Sequence, residues 1–226
     1  MTVSRRAAEQ RVVLLPGLGT DERLFVRQIE QFPDLIVPSW VAHRPDDTLA
    51  EYAARLAAPL ASLTPFWVGG SSFGGMLALE IAKLLSTRGV ILIGSARSRT
   101  AIAPSLRFAG SGIRHFPVFA FAAARRIAPA IARVFFPGNP DARTIASASS
   151  PTVPSDFVKW GLGAILDWPG VPDPGVPVHH IHGDADRVIA LRRFQPDRIV
   201  HGAGHLLALT HGHAVNDYIG EVTGLG

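Results

Sequence analysis

Phe66-Trp67-Val68-Gly69-Gly70-Ser71-Ser72-Phe73-Gly74-Gly75-Met76 is the most informative stretch of the chain. It contains G-x-S-x-G as Gly70-Ser71-Ser72-Phe73-Gly74, directly after an apolar run that predicts a strand and directly before a run with helical spacing. A strand that enters a helix through so sharp a turn forces strained backbone angles on the central residue. Side chains two positions before and after it would collide, so both positions must be nearly bare. Gly70 and Gly74 meet that need, and Gly75 lets the helix pack close to the strand. The turn sets the Ser72 hydroxyl at a helix N-terminus, where the macrodipole favours developing negative charge. Ser71 does not fit this frame, because position 73 is Phe where glycine would be required. The plainer reading is a Gly/Ser-rich turn that binds phosphate or nothing; the strand before it and the helix after it favour a nucleophilic serine.

Outward from this turn, short β-branched apolar runs alternate with longer helical patterns, which predicts an α/β fold with a mostly parallel sheet covered by helices. Strands are expected at Arg11–Leu15, Leu35–Trp40, Phe66–Gly69, Val90–Ile93, Val178–His182 and Arg198–His201. Helices are expected at Asp21–Gln31, Leu49–Ser62, Phe73–Leu85 and Leu206–Val222, with Thr20 or Asp21 capping the first and Thr48 the second. The alternation stops after Ser95 and resumes near Pro177. The intervening residues are rich in Ala, Arg, Phe and Pro, with helical spacing in several pieces. They read as a helical cap, 97–176, inserted over the carboxyl edge of the sheet, with 1–96 and 177–226 as the core. Pro169, Pro172, Pro174 and Pro177 would form a stiff return linker.

If Ser72 attacks an acyl carbon, two backbone N–H groups must face the oxygen that becomes negative. Phe73, immediately after the serine, is one candidate donor. Leu18, in the Pro16-Gly17-Leu18-Gly19 turn that follows the first strand, is the other; taken alone that turn is an ordinary Pro-Gly bend. An acid and a base are sought late in the chain. His180-Ile181-His182-Gly183-Asp184-Ala185-Asp186 closes a strand and enters a turn, and both aspartates are candidates for the acid. Asp184 also suits an Asx-type turn bond, a purely structural use. Gly202-Ala203-Gly204-His205 ends the next strand in a glycine-flanked imidazole able to reach over the sheet edge as general base. His201, His211 and His213 read as surface or packing residues.

Composition removes several classes. The chain has 226 residues, ample for one large core, and no cysteine, which excludes disulfides, thiolate catalysis and zinc–thiolate sites. The formal charge of +4 comes almost wholly from arginine, since Lys83 and Lys159 are the only lysines, and no basic run is interleaved with aromatics as nucleic-acid binding would require. The first eleven residues lack the apolar core of a signal peptide. The most apolar region, Phe116–Phe136, is interrupted by Arg125, Arg126, Pro129 and Arg133, whereas a membrane span needs roughly 18 uninterrupted apolar residues. A cytoplasmic protein without nucleic-acid or membrane partners is expected, with neither cofactor nor metal.

These motifs resemble the α/β-hydrolase superfamily and, within it, small esterases of the pimeloyl-carrier-protein methyl ester esterase type. The likeness covers about 11–95 and 177–222. Pro16-Gly17-Leu18-Gly19 is similar to that family's oxyanion turn, and Phe25 matches a usual aromatic in the following helix. Gly70 to Gly75 matches its elbow, and Gly202 to His205 its histidine loop. His182-Gly183-Asp184-Ala185-Asp186-Arg187-Val188-Ile189 resembles its H-G-x-x-D-x-x-[VI] acid motif, which assigns the acid to Asp186 rather than Asp184. The order Ser72, Asp186, His205 is that family's order of nucleophile, acid and base.

The sequence also departs from the pattern. Proline stands for the usual histidine at 16, Ser71 where histidine, tryptophan or glutamine is common, and Ala190 for a frequent proline. Only 18 residues separate Asp186 from His205, so the usual intervening helix shrinks to Leu191–Pro196. The chain begins at what would be the family's third strand, so about six strands are expected.

The resemblance implies cleavage of small-molecule carboxylic esters through an acyl-enzyme. Thioester, lactone or carbon–carbon cleavage would use the same residues. Cap residues Phe108, Phe116, Phe119, Phe121, Phe135 and Phe136 either line an apolar acyl pocket or simply form the cap's core. Arg107, Arg114, Arg125, Arg126 and Arg133 form a solvated face or a patch for an acidic substrate or carrier protein. Two other classes compete: a non-catalytic binding protein on the same scaffold, and a metal hydrolase using His180, His182, Asp184, Asp186 and His201, which lacks a helical H-E-x-x-H.

Overall fold

The computed structural model describes residues 10–102, 107, 112, 117–123, 126, 151–189, 191 and 194–225. Its strands are β1 (Val12–Leu15), β2 (Phe66–Ser71), β3 (Thr87–Ile93), β4 (Val178–Gly183) and β5 (Arg198–Val200). They form one sheet in the order β1-β2-β3-β4-β5, and every pairing is parallel. Parallel pairing sends all five carboxyl ends to the same edge, which is where ligands meet open α/β sheets. The expected strand Leu35–Trp40 contributes only a bridge between Ile36 and Val13. Ile36 takes both bonds that β1 offers it, and Pro38, which has no N–H, cannot extend the ladder.

A parallel sheet is covered on both faces, so its strands are apolar on both sides. Val13 and Leu15 of β1 and Val90 and Leu92 of β3 point into one buried cluster; Val12, Leu14, Ile91 and Ile93 point into the other. The first cluster lies under α2 (Leu49–Ala57), α3 (Phe73–Ala82) and α4 (Ser155–Asp167). The second is closed by α1 (Val26–Gln31), which follows a 3-10 turn at Glu22–Phe25, and by α5 (Leu207–Thr210) and α6 (Gly212–Thr223). The helix α3 is buried at every position, which is why the Phe73–Ala82 run shows no polar face.

Local chemistry explains where the helices begin and break. Asp21 caps the first turn by accepting from the Arg23 amide. Thr48 and Glu51 form a reciprocal capping box: the Thr48 hydroxyl accepts from the Glu51 amide at 3.2 Å, and Glu51 Oε2 accepts from the Thr48 amide at 2.8 Å. The helix expected as one piece at Leu206–Val222 is two, broken at His211. Gly212 abuts the Arg27 side chain, and the buried Gln28 Nε2 donates to the Gly212 carbonyl and to Asn216 Oδ1, so α1 locks the restart of the helix.

Within 97–176, α4 sets Phe157, Val158 and Ala164 into the first cluster. The return linker is tied down by Trp168, whose indole donates to the buried Glu80 at 2.7 Å, and by Arg97, which donates to the Pro172 and Val178 carbonyls. Phe119 is exposed and Phe121 is half-buried against the first cluster. Phe108, Phe116, Phe135, Phe136, Arg114, Arg125 and Arg133 lie outside the described residues, as do Ala190 and part of the shortened Leu191–Pro196 segment. No helix among the described residues is long and apolar enough to cross a membrane.

The capping box gives a direct test of this account. Thr48→Ala removes one orphan-amide acceptor and should cost about 1 kcal/mol, lowering Tm by about 2–4 °C for a domain of this size. Thermal unfolding followed by circular dichroism measures it, and an unchanged Tm would refute the role given to the cap.

Candidate active site

The elbow adopts the backbone its sequence demands. Ser72 has φ 52° and ψ −116°, the one positive φ at a non-glycine position among the described residues. A Cβ on Gly70 would lie 2.5 Å from the Gly74 carbonyl carbon and from the Leu15 carbonyl oxygen, and one on Gly74 would run into that same Leu15 oxygen. The two glycines therefore touch each other across the turn and jointly admit the end of β1. A Cβ on Gly75 would collide with Ser95, so this position also lets α3 approach β3.

Three contacts hold the strained residue. The Ser72 amide donates to the Ile93 carbonyl, the Ser72 carbonyl accepts from Gly75 N, and the buried Ser95 hydroxyl donates to that carbonyl at 2.6 Å. Sequence reasoning passed over Ser95. The signal was its place two residues past β3, level with the elbow in a parallel sheet.

Ser72, His205 and Asp186, far apart in the chain, meet at the carboxyl edge. Ser72 Oγ lies 2.9 Å from His205 Nε2, and His205 Nδ1 lies 2.8 Å from Asp186 Oδ2. The histidine loop sits on Gly94, whose φ is +53° and where a Cβ would come within 2.9 Å of the His205 carbonyl. A side chain at 94 would thus lift the loop from the sheet. Asp186 is held through its other oxygen, Oδ1, by the amides of Val188 at 2.8 Å and Ile189 at 3.0 Å. The short span to His205 does not displace this carboxylate, because the turn after β4 fixes it from its own backbone.

Asp184 does something else. Its Oδ1 accepts from the Gly202 amide at 2.7 Å, and its Oδ2 lies 2.8 Å from Nδ1 of the exposed His201. It joins the turns after β4 and β5 and takes no part in the Ser72–His205–Asp186 hydrogen bonds. His201 lies just beyond β5 rather than within it, His211 marks the helix break, and His213 is exposed on α6.

Burial opposes the charge on Asp186 and would push its carboxyl up. The charge of His205, hydrogen bonds from His182 and His205, and the Ile189 amide outweigh burial and hold the carboxyl well below the usual carboxylate range. Its side chain is fully buried, and the His205 side chain is 6% exposed, so the pair works at low dielectric.

The two expected amide donors sit on well-anchored backbone. Phe73 opens α3, so its N–H has no carbonyl a turn earlier in the helix to bind. Its ring is fully buried, 5.8 Å from Trp40 and 6.3 Å from Phe157. Leu18 lies in a turn closed by Thr20, whose amide and hydroxyl both donate to the Gly17 carbonyl, and its side chain packs against Gly161 of α4. A cleft of about 350 Å³ borders this turn, lined by Pro16, Asp21, Val37, Trp40, Val153 and Pro154. A larger groove of about 720 Å³ is lined by His43, Asp47, Lys83, Trp160 and Trp168 among others, and neither cavity is lined by Ser72, Asp186 or His205. Among the described residues no cluster of three His, Asp or Glu side chains has metal-binding form.

The chain belongs to the alpha/beta hydrolase family, whose model matches residues 12–218. No curated protein matches it. Among solved structures it is similar to a carboxylesterase of the ammonia-oxidizing thaumarchaeon Nitrososphaera gargenis, with TM-score 0.73, 16% identity, and 97% of this chain and 91% of that one covered. A thermophilic esterase from Thermogutta terrifontis follows with TM-score 0.65, 19% identity and coverage of 93% and 88%. A thioesterase of the prodiginine biosynthetic pathway in Streptomyces coelicolor has TM-score 0.63, 18% identity and coverage of 96% and 86%. At such identities the likeness is one of fold.

The depressed Asp186 carboxyl predicts an acid dependence of stability. A carboxyl held below its unfolded value contributes stability that is complete above the unfolded pKa and is lost as pH falls through the folded one. Asp186→Asn should therefore flatten the acid side of the stability curve below the ordinary carboxylate range. Urea unfolding at a series of pH values reads this, and parallel curves for the two proteins would contradict it.

Proposed function

We propose that this chain is a serine hydrolase that cleaves carboxylic esters through an acyl-enzyme. The observation that carries the reading is the unbroken hydrogen-bonded sequence from Ser72 Oγ through His205 to Asp186. In the resting site the Ser72 hydroxyl donates to His205 Nε2, which fixes the tautomer with hydrogen on Nδ1, facing Asp186. Ser72 Oγ attacks the ester carbonyl carbon while its proton passes to His205 Nε2. Asp186 stays ionised and stabilises the imidazolium. The Phe73 and Leu18 amides hold the oxyanion, each such donor contributing typically about 100- to 1,000-fold in turnover. Collapse breaks the ester carbon–oxygen bond, and His205 returns its proton to the departing alcohol. Water then loses a proton to His205 and attacks the acyl carbon, releasing the acid and restoring Ser72.

In this reading, 97–176 is the cap inserted between the two core segments. Support comes from α4, which lays Phe157 beside Phe73, the residue next to the nucleophile. The aromatic cluster of Trp40, Phe73 and Phe157 next to the nucleophile suits a small substrate with an apolar acyl or alkyl group.

A short-chain nitrophenyl ester assay tests the proposal. Turnover should be abolished by a serine-directed phosphonate, unaffected by a chelator, and lowered about a million-fold by Ser72→Ala. No turnover on a panel of esters, thioesters and lactones would leave a binding protein on this scaffold, and loss of activity on chelation would favour a metal hydrolase. The two aspartates should also separate. Asp186→Asn should lower kcat by about ten-thousand-fold, the scale seen when a triad acid loses its charge. Asp184→Asn should leave kcat within about threefold, because Asp184 binds the Gly202 turn. Greater damage from Asp184→Asn would transfer the acid to that residue.

A further inference from the structure

Asp186 faces a second imidazole that the relay to Ser72 does not use. His182, on β4 and fully buried, has its Nε2 3.1 Å from Asp186 Oδ2 and 3.1 Å from the Ile189 carbonyl oxygen. With Asp186 ionised both neighbours only accept, so Nε2 must carry a hydrogen. A neutral His182 then has a bare Nδ1. His180 Nε2 lies 3.2 Å from it and is the donor that position needs.

The pair is tightly held. The Phe194 ring stacks on His180 at 4.8 Å and meets His182 edge-on at 4.9 Å. The His180 amide donates to Asp197 Oδ2 at 2.7 Å, and the Asp197 amide returns to the His180 carbonyl. Among the described residues the charged groups around the two rings are Asp186 on the side of the site, and Asp197 and Arg97 on the side of His180. Burial first, then His182 and Arg97, draw the His180 imidazole down to about 3, so it stays neutral at working pH and brings no charge of its own.

We propose that His182 is a positioning residue, whose Nε2–H holds Asp186 Oδ2 toward His205 and takes up part of its negative charge. This rests on the roles given above to Ser72, His205 and Asp186. The carboxylate faces four N–H groups in all: Oδ1 accepts from the Val188 and Ile189 amides, and Oδ2 lies 2.8 Å from His205 Nδ1 and 3.1 Å from His182 Nε2, whose one hydrogen is shared with the Ile189 carbonyl. Four is the acceptor capacity of the group. Without His182, Oδ2 keeps only His205 as a donor. The carboxylate gains freedom to turn about its amide-bound oxygen, and its undivided charge favours the imidazolium form of His205.

Two measurements test this. In wild-type protein labelled with 15N-histidine, the NMR shifts of His182 should show Nε2 protonated and Nδ1 bare; a bare Nε2 with Asp186 ionised overturns the proposal. This readout needs no substrate, so a chain that hydrolyses no ester would refute the proposed function without deciding this inference. In the ester assay, His182→Phe should lower kcat about 10- to 100-fold with KM unchanged, and should move the acid limb of the pH–rate profile to higher pH. His182→Gln, which returns an N–H donor on the same side, should recover most of both. A folded His182→Phe with wild-type kcat and acid limb refutes the role, as does a loss in both variants that follows thermal stability alone. Where His182→Phe does not fold, the wild-type nitrogen shifts and the acid limb of His182→Gln decide.

Discussion

Ser72 occupies a left-handed backbone that a side chain adopts only under constraint, at a cost of about 1–3 kcal/mol, and the rest of the site is arranged around that single residue. β3 holds it from one side through the Ile93 carbonyl and the Ser95 hydroxyl, and α3 closes on it through Gly75. β1 presses against it through the Leu15 carbonyl, which only the paired glycines at 70 and 74 can admit. The same packing aims the Ser72 hydroxyl out of the sheet edge and brings the Pro16–Gly19 turn beside it. Strain, close approach and the aim of the hydroxyl are thus one feature rather than three.

The second dependency is electrostatic. A fully buried carboxylate is costly unless its charge is answered, and Asp186 is answered by two amides from its own turn and two imidazoles from β4 and from the loop after β5. The amides come from residues two and three positions along the chain, so they form whenever the turn forms. The imidazoles depend on the sheet. His182 is placed by its strand, whereas His205 is placed by a loop that rests on Gly94 at the end of β3. A carboxylate so satisfied keeps its charge when desolvated, and that is the condition for orienting an imidazole at low dielectric.

Much of this was legible in the residues. Capping chemistry is local, so Thr48 and Asp21 could be read as helix starts, and the apolar runs marked five strands because a two-sided sheet leaves no polar alternation to confuse them. Leu35–Trp40 carries the same apolar signal, but Pro38 cuts its pairing to one bridge at Ile36, and the last helix breaks at His211 where Gln28 of a distant helix claims the Gly212 carbonyl. The choice between Asp184 and Asp186 was open to residue chemistry alone, since both sit in one turn after one strand. Ser95 and His182 carried no motif of their own; the first looks like any residue past a strand, and the second like a possible ligand.

What the amino-acid sequence determined by itself is whatever neighbours along the chain decide: the glycine pair that permits the elbow, the helix caps, the two-sided strands, and the turn amides that await a carboxylate at 186. What only the tertiary structure decided is which distant groups complete those local devices. The sequence separation of 133 between Ser72 and His205 closes to 2.9 Å because parallel strands deliver their ends to one edge. Two of the three rings that crowd the end of β4 belong to that strand, and the third comes from the segment beyond it. Such contacts follow from sheet order and packing depth, quantities that no window of sequence contains.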